Sequence, residues 1–220
     1  MRRLRRMRRQ MRSAEGDQVN ILVVFDSRHG NTHRLAVAVA DGAGSVPGAQ
    51  VRVRRPKAAG PEALEGASQR HKQAYQAFVQ VPEVSQEDLT WCDGLVLGSP
   101  TRFGNMTAEL KAVVDATSEL WMTGGLVGKV GACFTSTASM HGGQETTLLS
   151  MMLPMFHQGM VVVGIPYSQQ RLISTTRGGT PYGASSVSGP AADQGPNEDE
   201  LELARALGRR VAEVAGRLRG

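Results

Sequence analysis

Five short strand-like runs, rich in valine and leucine and separated by stretches with helical spacing, decide what this chain can fold into. Residues 21–25 (ILVVF) are apolar without interruption and stop at Asp26 and Ser27, and residues 94–98 (GLVLG), 130–134 (VGACF) and 160–163 (MVVV) follow the same plan. A continuous apolar run of that length suits a strand buried on both faces, as in a parallel sheet. Val51 and Val53 alternate with arginines instead, which predicts a half-exposed edge strand. Between the runs, Leu35, Val37, Ala38 and Val39 follow the cap residue Asn31, Leu110, Val113 and Val114 share one side of residues 108–117, and Leu148, Leu149, Met152 and Phe156 punctuate residues 144–157. The last helix is the clearest. Asn197 supplies an N-cap with Glu200 in the capping-box position, and Leu201, Ala204, Leu207, Val211, Val214 and Leu218 follow at helical spacing. Strands alternating with helices in this way predict a three-layer α/β domain, a parallel sheet with helices on both faces.

A length of 220 residues holds one domain of the usual ~150 residues together with extensions. Apolar residues at 40% and charged residues at 20% exclude wholesale disorder. No apolar run approaches the roughly 20 residues that cross a bilayer, so no membrane span is expected. The formal charge of +5 belongs to one end. Residues 1–12 carry seven arginines (Arg2, Arg3, Arg5, Arg6, Arg8, Arg9 and Arg12) and no acid, and 25 lysines and arginines less these seven leaves 18, against 20 acids. The body of the chain is mildly acidic. An arginine run of this kind can bind nucleic acid or anionic lipid through counterion release. It also has the charge of a signal-peptide head, yet no apolar stretch follows before Glu15, Gly16 and Asp17. The expectation is a disordered basic extension over residues 1–18 without a nucleic-acid partner, then a single domain over 19–220, in the cytoplasm.

Two segments exceed a minimal domain of this class. Residues 55–90 are polar and broken by prolines, with one weak helix expected at 65–79, and residues 165–195 are rich in Gly, Ser, Thr and Pro without periodicity. Cys92 and Cys133 lie beside or inside strand-like runs, which predicts two reduced thiols. Neither opens a CxxC pair or has an arginine six residues on, which excludes dithiol redox and cysteine-phosphatase chemistry.

In an open parallel sheet, ligands bind beyond the carboxyl ends of the strands, so the segments after each strand are where chemistry is sought. After the first comes Asp26-Ser27-Arg28-His29-Gly30-Asn31-Thr32, leading straight into a helix. Hydroxyls, a glycine and free backbone amides at a helix N-terminus make an anion site, and Arg28 adds charge. The loop has neither the P-loop pattern GxxxxGK(S/T) nor the dinucleotide fingerprint GxGxxG, and its length suits one phosphate monoester. After the third comes Ser99-Pro100-Thr101-Arg102-Phe103-Gly104-Asn105-Met106, where Phe103 offers a flat aromatic face. After the fourth comes Thr135-Ser136-Thr137-Ala138-Ser139-Met140-His141-Gly142-Gly143-Gln144-Glu145, small and hydroxyl-rich. One anion loop and two small-residue loops at one sheet edge describe a mononucleotide site, into which flavin mononucleotide (FMN) would fit.

The strings PTRFGNM (residues 100–106), GGQE (142–145) and RGGTPYGA (177–184) are those of the WrbA-type NAD(P)H:quinone oxidoreductases of the flavodoxin-like superfamily, in the same order and at similar spacing. From about residue 19 onward the chain resembles that family. The resemblance implies a five-stranded parallel sheet of order 2-1-3-4-5, FMN as cofactor, NADH or NADPH as donor, quinones as acceptors and a homotetramer (or dimer). Carried over by position, Ser27, Arg28, His29, Gly30, Asn31 and Thr32 would hold the phosphate. Pro100, Thr101, Arg102, Phe103, Gly104 and Asn105 would form the loop along the isoalloxazine, and Ser136, Thr137, Ala138, Ser139 and Gly142 would border its pyrimidine edge and ribityl chain. His157 matches a histidine that reaches the flavin, Trp121 a tryptophan that walls the substrate cavity, and His29 falls where an aromatic residue meets the nicotinamide nucleotide. The chain departs from the family in a bulkier third loop (Ala138, Ser139, Met140 and His141, one residue longer), in His29 where a tyrosine is usual, and in the arginine tail.

The resemblance further implies ping-pong hydride transfer, with Arg102 or His157 as the positive group that steadies the reduced cofactor and His157 also a candidate proton donor to the quinol. No metal is expected. Two other classes account for less of the sequence: a flavodoxin-type electron carrier without a substrate of its own, and a nucleic-acid or partner-binding protein acting through the tail. Asp26 and Asp93 lie near strands as in phospho-acceptor receivers, but the acidic cluster and lysine of that class are missing. Met151, Met152 and Met155 are core-spaced, and His33, His71 and His141 read as surface or loop residues.

Overall fold

The computed structural model describes residues 18–60 and 64–219, so the basic tail and its expected disorder lie outside the described residues. In chain order the elements are β1 (Val19–Phe25), α1 (Asn31–Gly44), β2 (Ala49–Arg54), α2 (Gln69–Val79), α3 (Gln86–Trp91), β3 (Gly94–Pro100), α4 (Ala108–Asp115), α5 (Ser118–Thr123), β4 (Val130–Thr137), α6 (Gln144–His157), β5 (Val161–Val162), α7 (Arg171–Ser174), β6 (Ala184–Val187) and α8 (Glu198–Leu218). All strand pairs are parallel and the order is β2-β1-β3-β4-β5, as the resemblance implies.

Alternation along each strand sorts its side chains to two cores, one on each face of the sheet. From β1, Ile21, Val23 and Phe25 join α1 and α8 on one face. Leu22 and Val24 join Leu89 of α3, Leu110 of α4 and Met151 of α6 on the other. Each large apolar side chain buried in this way contributes about 1.5–3 kcal/mol. At the centre, Gly98 of β3 pairs with Phe134 of β4, and a Cβ on Gly98 would stand 2.0 Å from the Phe134 ring, so the glycine makes room for the aromatic side chain. β2 is the edge strand, and its arginines are held by one carboxylate: Arg52 and Arg54 each donate to Asp88 at 2.9 Å. Arg52 also lies 4.0 Å over the Trp91 ring.

The far edge differs from the expected five strands. β4 is covered by two short strands in tandem: Val161–Val162 pair with Val130 and Gly131, and Ala184–Val187 pair with residues 134–137. The fifth position of the sheet is thus interrupted, and residues 163–183 loop out between its two halves. Part of the segment expected to be an aperiodic loop therefore returns as a strand. Its sequence, ASSV, carries no apolar run, yet all four residues are buried because β4 offers them an open edge. Glu200 pins this insertion to α8. Wholly buried, it accepts from the amides of Gly178 and Val187 at 2.9 Å and from Asn197 at 2.8 Å, completing the expected capping box. In residues 55–90 the expected helix begins at Gln69 rather than residue 65, and a second one, α3, follows it.

Candidate functional site

The loops after β1, β3 and β4 meet at the carboxyl edge of the sheet, where strands β1 and β3 are adjacent although not consecutive. Gly30 is the N-cap of α1 with a φ of 86°, a left-handed conformation that only glycine adopts freely, and it offers no side chain to the helix. The Ser27 hydroxyl accepts from the His33 amide at 3.3 Å. Among the described residues, none of the amides of Arg28, His29, Gly30, Asn31 and Thr32 donates a hydrogen bond. α6 begins in the same way, on Gly143 with a φ of 95°. By contrast α2, α4 and α8 are capped by the side chains of Ser68, Thr107 and Asn197. The two long helices without a capping side chain on the N-cap residue are those that start at this edge, which leaves their amides and dipoles available to an anion.

The loop after β3 is a tight hairpin. Arg102 and Asn105 exchange backbone hydrogen bonds of 2.8 and 3.0 Å, and the two residues between them, Phe103 and Gly104, have φ of 52° and 80°. Phenylalanine is strained there by about 1–2 kcal/mol, and its ring stands fully in solvent (108% exposed). The loop after β4 is tied to the other two: Thr32 and Ser136 share a 2.8 Å hydroxyl hydrogen bond, and the Thr101 amide donates to the Ser136 carbonyl at 2.9 Å. Gln144 folds the rest of that loop down, donating to the Met140 carbonyl at 2.8 Å and accepting from Ser185 at 2.6 Å.

A cavity of about 210 Å³ lies between the loops. Arg28, His29, Asn31, Thr32, Pro100, Thr101, Arg102, Ser136, Thr137 and Ala138 line it, all of them expected cofactor residues. Ser27 and Gly30 hold the first loop in shape, Phe103 and Gly104 form the hairpin tip, and Ser139 and Gly142 lie further out, joined by a 3.1 Å bond from the Gly142 amide to the Ser139 carbonyl. Ser188, Pro190 and Ala192 complete the wall, and no motif in the sequence announces them. His157 and Trp121 are not brought to this cavity. They line another, of about 540 Å³, with Gln158 and Lys111, and Asn105 and Met106 form part of its wall. Met151, Met152 and Met155 are buried in the core, as their spacing predicts.

Charge is unevenly distributed around the site. Asp26 is only 2% exposed; burial raises its carboxyl above the usual carboxylate range, against the pull of Arg28. Arg28 sits between Asp26, 3.6 Å away, and Glu109. His71, read from the sequence as a surface residue, lies with its ring centroid 4.9 Å from that of His29, because α2 folds back over the first loop. Burial lowers the His29 pKa, and His71, Arg102, Arg70 and Arg28 lower it further. His33 is half-buried with its ring 4.9 Å from Phe25, and burial lowers its pKa too. The two cysteines are free and buried; burial pushes the Cys92 thiol up to about 12 and Cys133 in the same direction, so neither supplies a thiolate.

Comparison with known proteins bears on the same region. The family model described as NADPH-dependent FMN reductase matches residues 19–169. The chain is 45% identical over 203 residues to an NAD(P)H dehydrogenase (quinone) of Aromatoleum aromaticum, spanning 91% of this chain and 97% of that protein. It is 44% identical over 207 residues to a protein of the same name from Geobacter sulfurreducens, spanning 92% and 100%. Among solved structures, a flavodoxin, WrbA-like protein from Agrobacterium tumefaciens matches with a TM-score of 0.62 at 26% identity, over 90% of this chain and 98% of that one. The three loops that build the cavity all lie within the matched residues, and the chain belongs to the NADPH-dependent FMN reductase family.

Proposed function

We propose that this chain is a flavoenzyme that holds FMN between these three loops and catalyses the two-electron reduction of a quinone by NADH or NADPH. The observation that carries the reading is the run of five amides without an acceptor at the head of α1, most of them in residues that line the cavity. The donor set fits the cofactor. Amides together with the hydroxyls of Thr32, Ser136 and Thr137 suit a phosphate and a polyol chain, and among the described residues no carboxylate lines the cavity. Its volume of about 210 Å³ is below the roughly 300 Å³ of a pocket that encloses a whole ligand, which suits the phosphate-bearing end and leaves a flat ring for the open mouth near Arg102 and Phe103. The names of the relatives from Aromatoleum and Geobacter support the same activity.

FMN supplies the redox chemistry when bound, and the overall balance converts NAD(P)H, a quinone and a proton into NAD(P)+ and a quinol. The chain binds and orients. Asp26 and Glu109 hold the Arg28 guanidinium at the phosphate loop, while Arg102, exposed and without a carboxylate partner among the described residues, brings positive charge to the mouth. The lowered pKa of His29 keeps its ring uncharged at neutral pH, so that it packs against a nicotinamide without repelling it. Donor and acceptor use the one open mouth in turn, in ping-pong order. His157 and Trp121 act through a second copy of the chain. Leu149, Leu153 and Phe156 form an exposed apolar stripe on α6, with Trp121, Met122 and Val161 also exposed. This face is the contact of a homotetramer or dimer, through which His157 as proton donor and Trp121 as wall serve a neighbouring site. Two free, buried thiols are in keeping with the cytoplasm.

The test is an absorption spectrum of protein incubated with FMN and desalted, followed by NADH or NADPH and then benzoquinone without oxygen. Retained flavin that bleaches with the nucleotide and recovers with quinone is the expected result. Retained flavin that neither nucleotide reduces would replace the enzyme with an electron carrier, and absence of flavin binding would sink the reading.

A further inference from the structure

The string RGGTPYGA (residues 177–184) and the capping box of α8 lie outside the cavity between the three loops, and none of their residues lines it. They meet at one ion pair. The Glu200 carboxylate, wholly buried, faces the Arg177 guanidinium at 3.6 Å. Burying such a pair is costly unless its other polar atoms are hydrogen-bonded, and here those bonds go to backbone. Glu200 accepts from the amides of Gly178 and Val187 at 2.9 Å and of Asn197 at 2.8 Å. The Arg177 Nη2 that faces it donates to the carbonyl oxygens of Val187 and Gly195, the second at 3.3 Å. A Cβ on Gly178 would stand 2.7 Å from Glu200 Oε1, so the glycine after Arg177 lets the carboxylate approach.

Val187 and Gly195 are the two feet of a loop, residues 188–194, that contains neither helix nor strand. Ser188 ties the loop to the third site segment: its amide and its hydroxyl both donate to the Thr137 carbonyl, at 2.8 and 3.0 Å. The Gln194 amide donates to the Ser188 carbonyl at 3.0 Å and closes the loop on itself. Between these residues Gly189 and Ala192 have φ of 76° and 52°. Alanine is unfavourable in that left-handed conformation, which persists only where the surroundings over-determine it. Ser188, Pro190 and Ala192 of this loop are the residues that complete the wall of the 210 Å³ cavity. The loop has no motif of its own, and both its feet are bound to one arginine.

We propose that Arg177 and Glu200 are positioning residues for the cofactor: the pair clamps both feet of the 188–194 loop and so holds the last wall of the cavity against the phosphate-bearing end of FMN. The proposal rests on the reading of the chain as a protein that holds FMN between the three loops. Neither residue touches the cavity, so each acts through the loop, Arg177 on the carbonyls of Val187 and Gly195 and Glu200 on the amides of Val187 and Asn197. A wall fixed before the ligand arrives lowers the ordering cost of binding. The clamp also gives a role to the 165–195 segment, whose string RGGTPYGA supplies Arg177 at one end and β6 at the other.

Titration of the flavin-free protein with FMN, followed by quenching of flavin fluorescence, reads the affinity, and phosphorus NMR of the bound cofactor reads its phosphate. Neither needs turnover. In Arg177→Met the Kd for FMN should rise about tenfold and the resonance of the bound phosphate should move, because each foot of the loop loses a carbonyl contact. The urea midpoint of the flavin-free protein is measured beside them, since a role in stability alone would lower it and leave the Kd and the resonance in place. A Kd within about twofold of the unaltered protein overturns the proposal, whatever the midpoint does. Weaker binding with an unmoved phosphate resonance also overturns it, by placing the loss elsewhere on the cofactor. Where Arg177→Met fails to fold, Arg177→Gln, shorter but still a donor, takes its place, and a loss of less than about threefold there overturns the proposal. Absence of FMN binding by the unaltered protein overturns the flavin reading itself, so the two failures are told apart.

Discussion

Phe103 is held in a left-handed conformation at the hairpin tip with its ring in solvent, so it contributes strain and no burial. Asparagine tolerates such a turn better, and Phe103→Asn should raise stability by about 0.5–1 kcal/mol, read as a higher urea midpoint, while quinone turnover falls. A lower midpoint would mean that the ring packs against the chain after all. The histidines around the first loop set a pH dependence. Burial lowers His29, His33 and His71 below their ordinary 6.5, so the unfolded chain binds more protons than the folded one as pH drops beneath that value. Their contribution to stability is present above about pH 6.5 and lost as pH falls through their folded pKa values. Asp26, raised from 3.8, has the opposite sign: its contribution is present at low pH and lost as pH rises through its folded pKa. The histidines pull the urea midpoint down between pH 7.5 and 5.5 and Asp26 pulls the other way, so the drop should be smaller in His33→Gln, which removes one histidine from that balance. An equal drop in the variant would remove His33 from the account. At this scale the sequence disclosed which residues follow each strand. It did not disclose that His71 meets His29, since a contact between residues 42 positions apart depends on where α2 packs.

At the scale of elements, α1 and α8 cross with their backbones in contact. A Cβ on Gly42 would stand 2.0 Å from the Arg205 carbonyl oxygen, and one on Gly208 would stand 1.9 Å from that of Val39. Gly208 is in a helix, where alanine alone would be favoured by about 1 kcal/mol. The crossing reverses that preference, and Gly208→Ala should destabilise by about 2 kcal/mol in urea unfolding. A stabilised variant would mean that the helices separate without loss. The interrupted fifth strand is an element-level result of another kind. ASSV lacks the apolar run that marks a buried strand, and its place comes from hydrogen bonds to β4 and from Glu200, which accepts the Val187 amide at 2.9 Å. Val161–Val162 were visible in the sequence because their side chains are apolar, although only two residues of that run pair with β4.

For the whole molecule, the exposed apolar stripe on α6 makes the prediction. Leu153→Lys places a charge in the middle of that face, between Leu149 and Phe156 one turn to either side, and should reduce the mass measured by light scattering to that of a smaller assembly. Flavin retention by the smaller species should persist, because the cavity at the head of α1 is lined by residues of a single copy, and a fall in quinone turnover would support the proposed role of His157 and Trp121 in a neighbouring site. Unchanged mass would move the contact to another face. Among the described residues no helix is long and apolar enough to cross a membrane.

The positions of β1, β3, β4 and α8 were determined by the sequence alone, because solvent exclusion acts on local periodicity: continuous apolar runs became the three strands, and the capping box at Asn197 and Glu200 set the start of the helix. The three loops of the site followed from those positions, since a parallel sheet places them at one edge. Only the tertiary structure decided which residues share a cavity. His157 and Trp121 lie in a different cavity from the phosphate loop, and Ser188 and Pro190 join the wall of the phosphate-loop cavity without any motif to announce them. These placements arise from contacts between residues far apart in the chain, and local side-chain preferences carry no record of them.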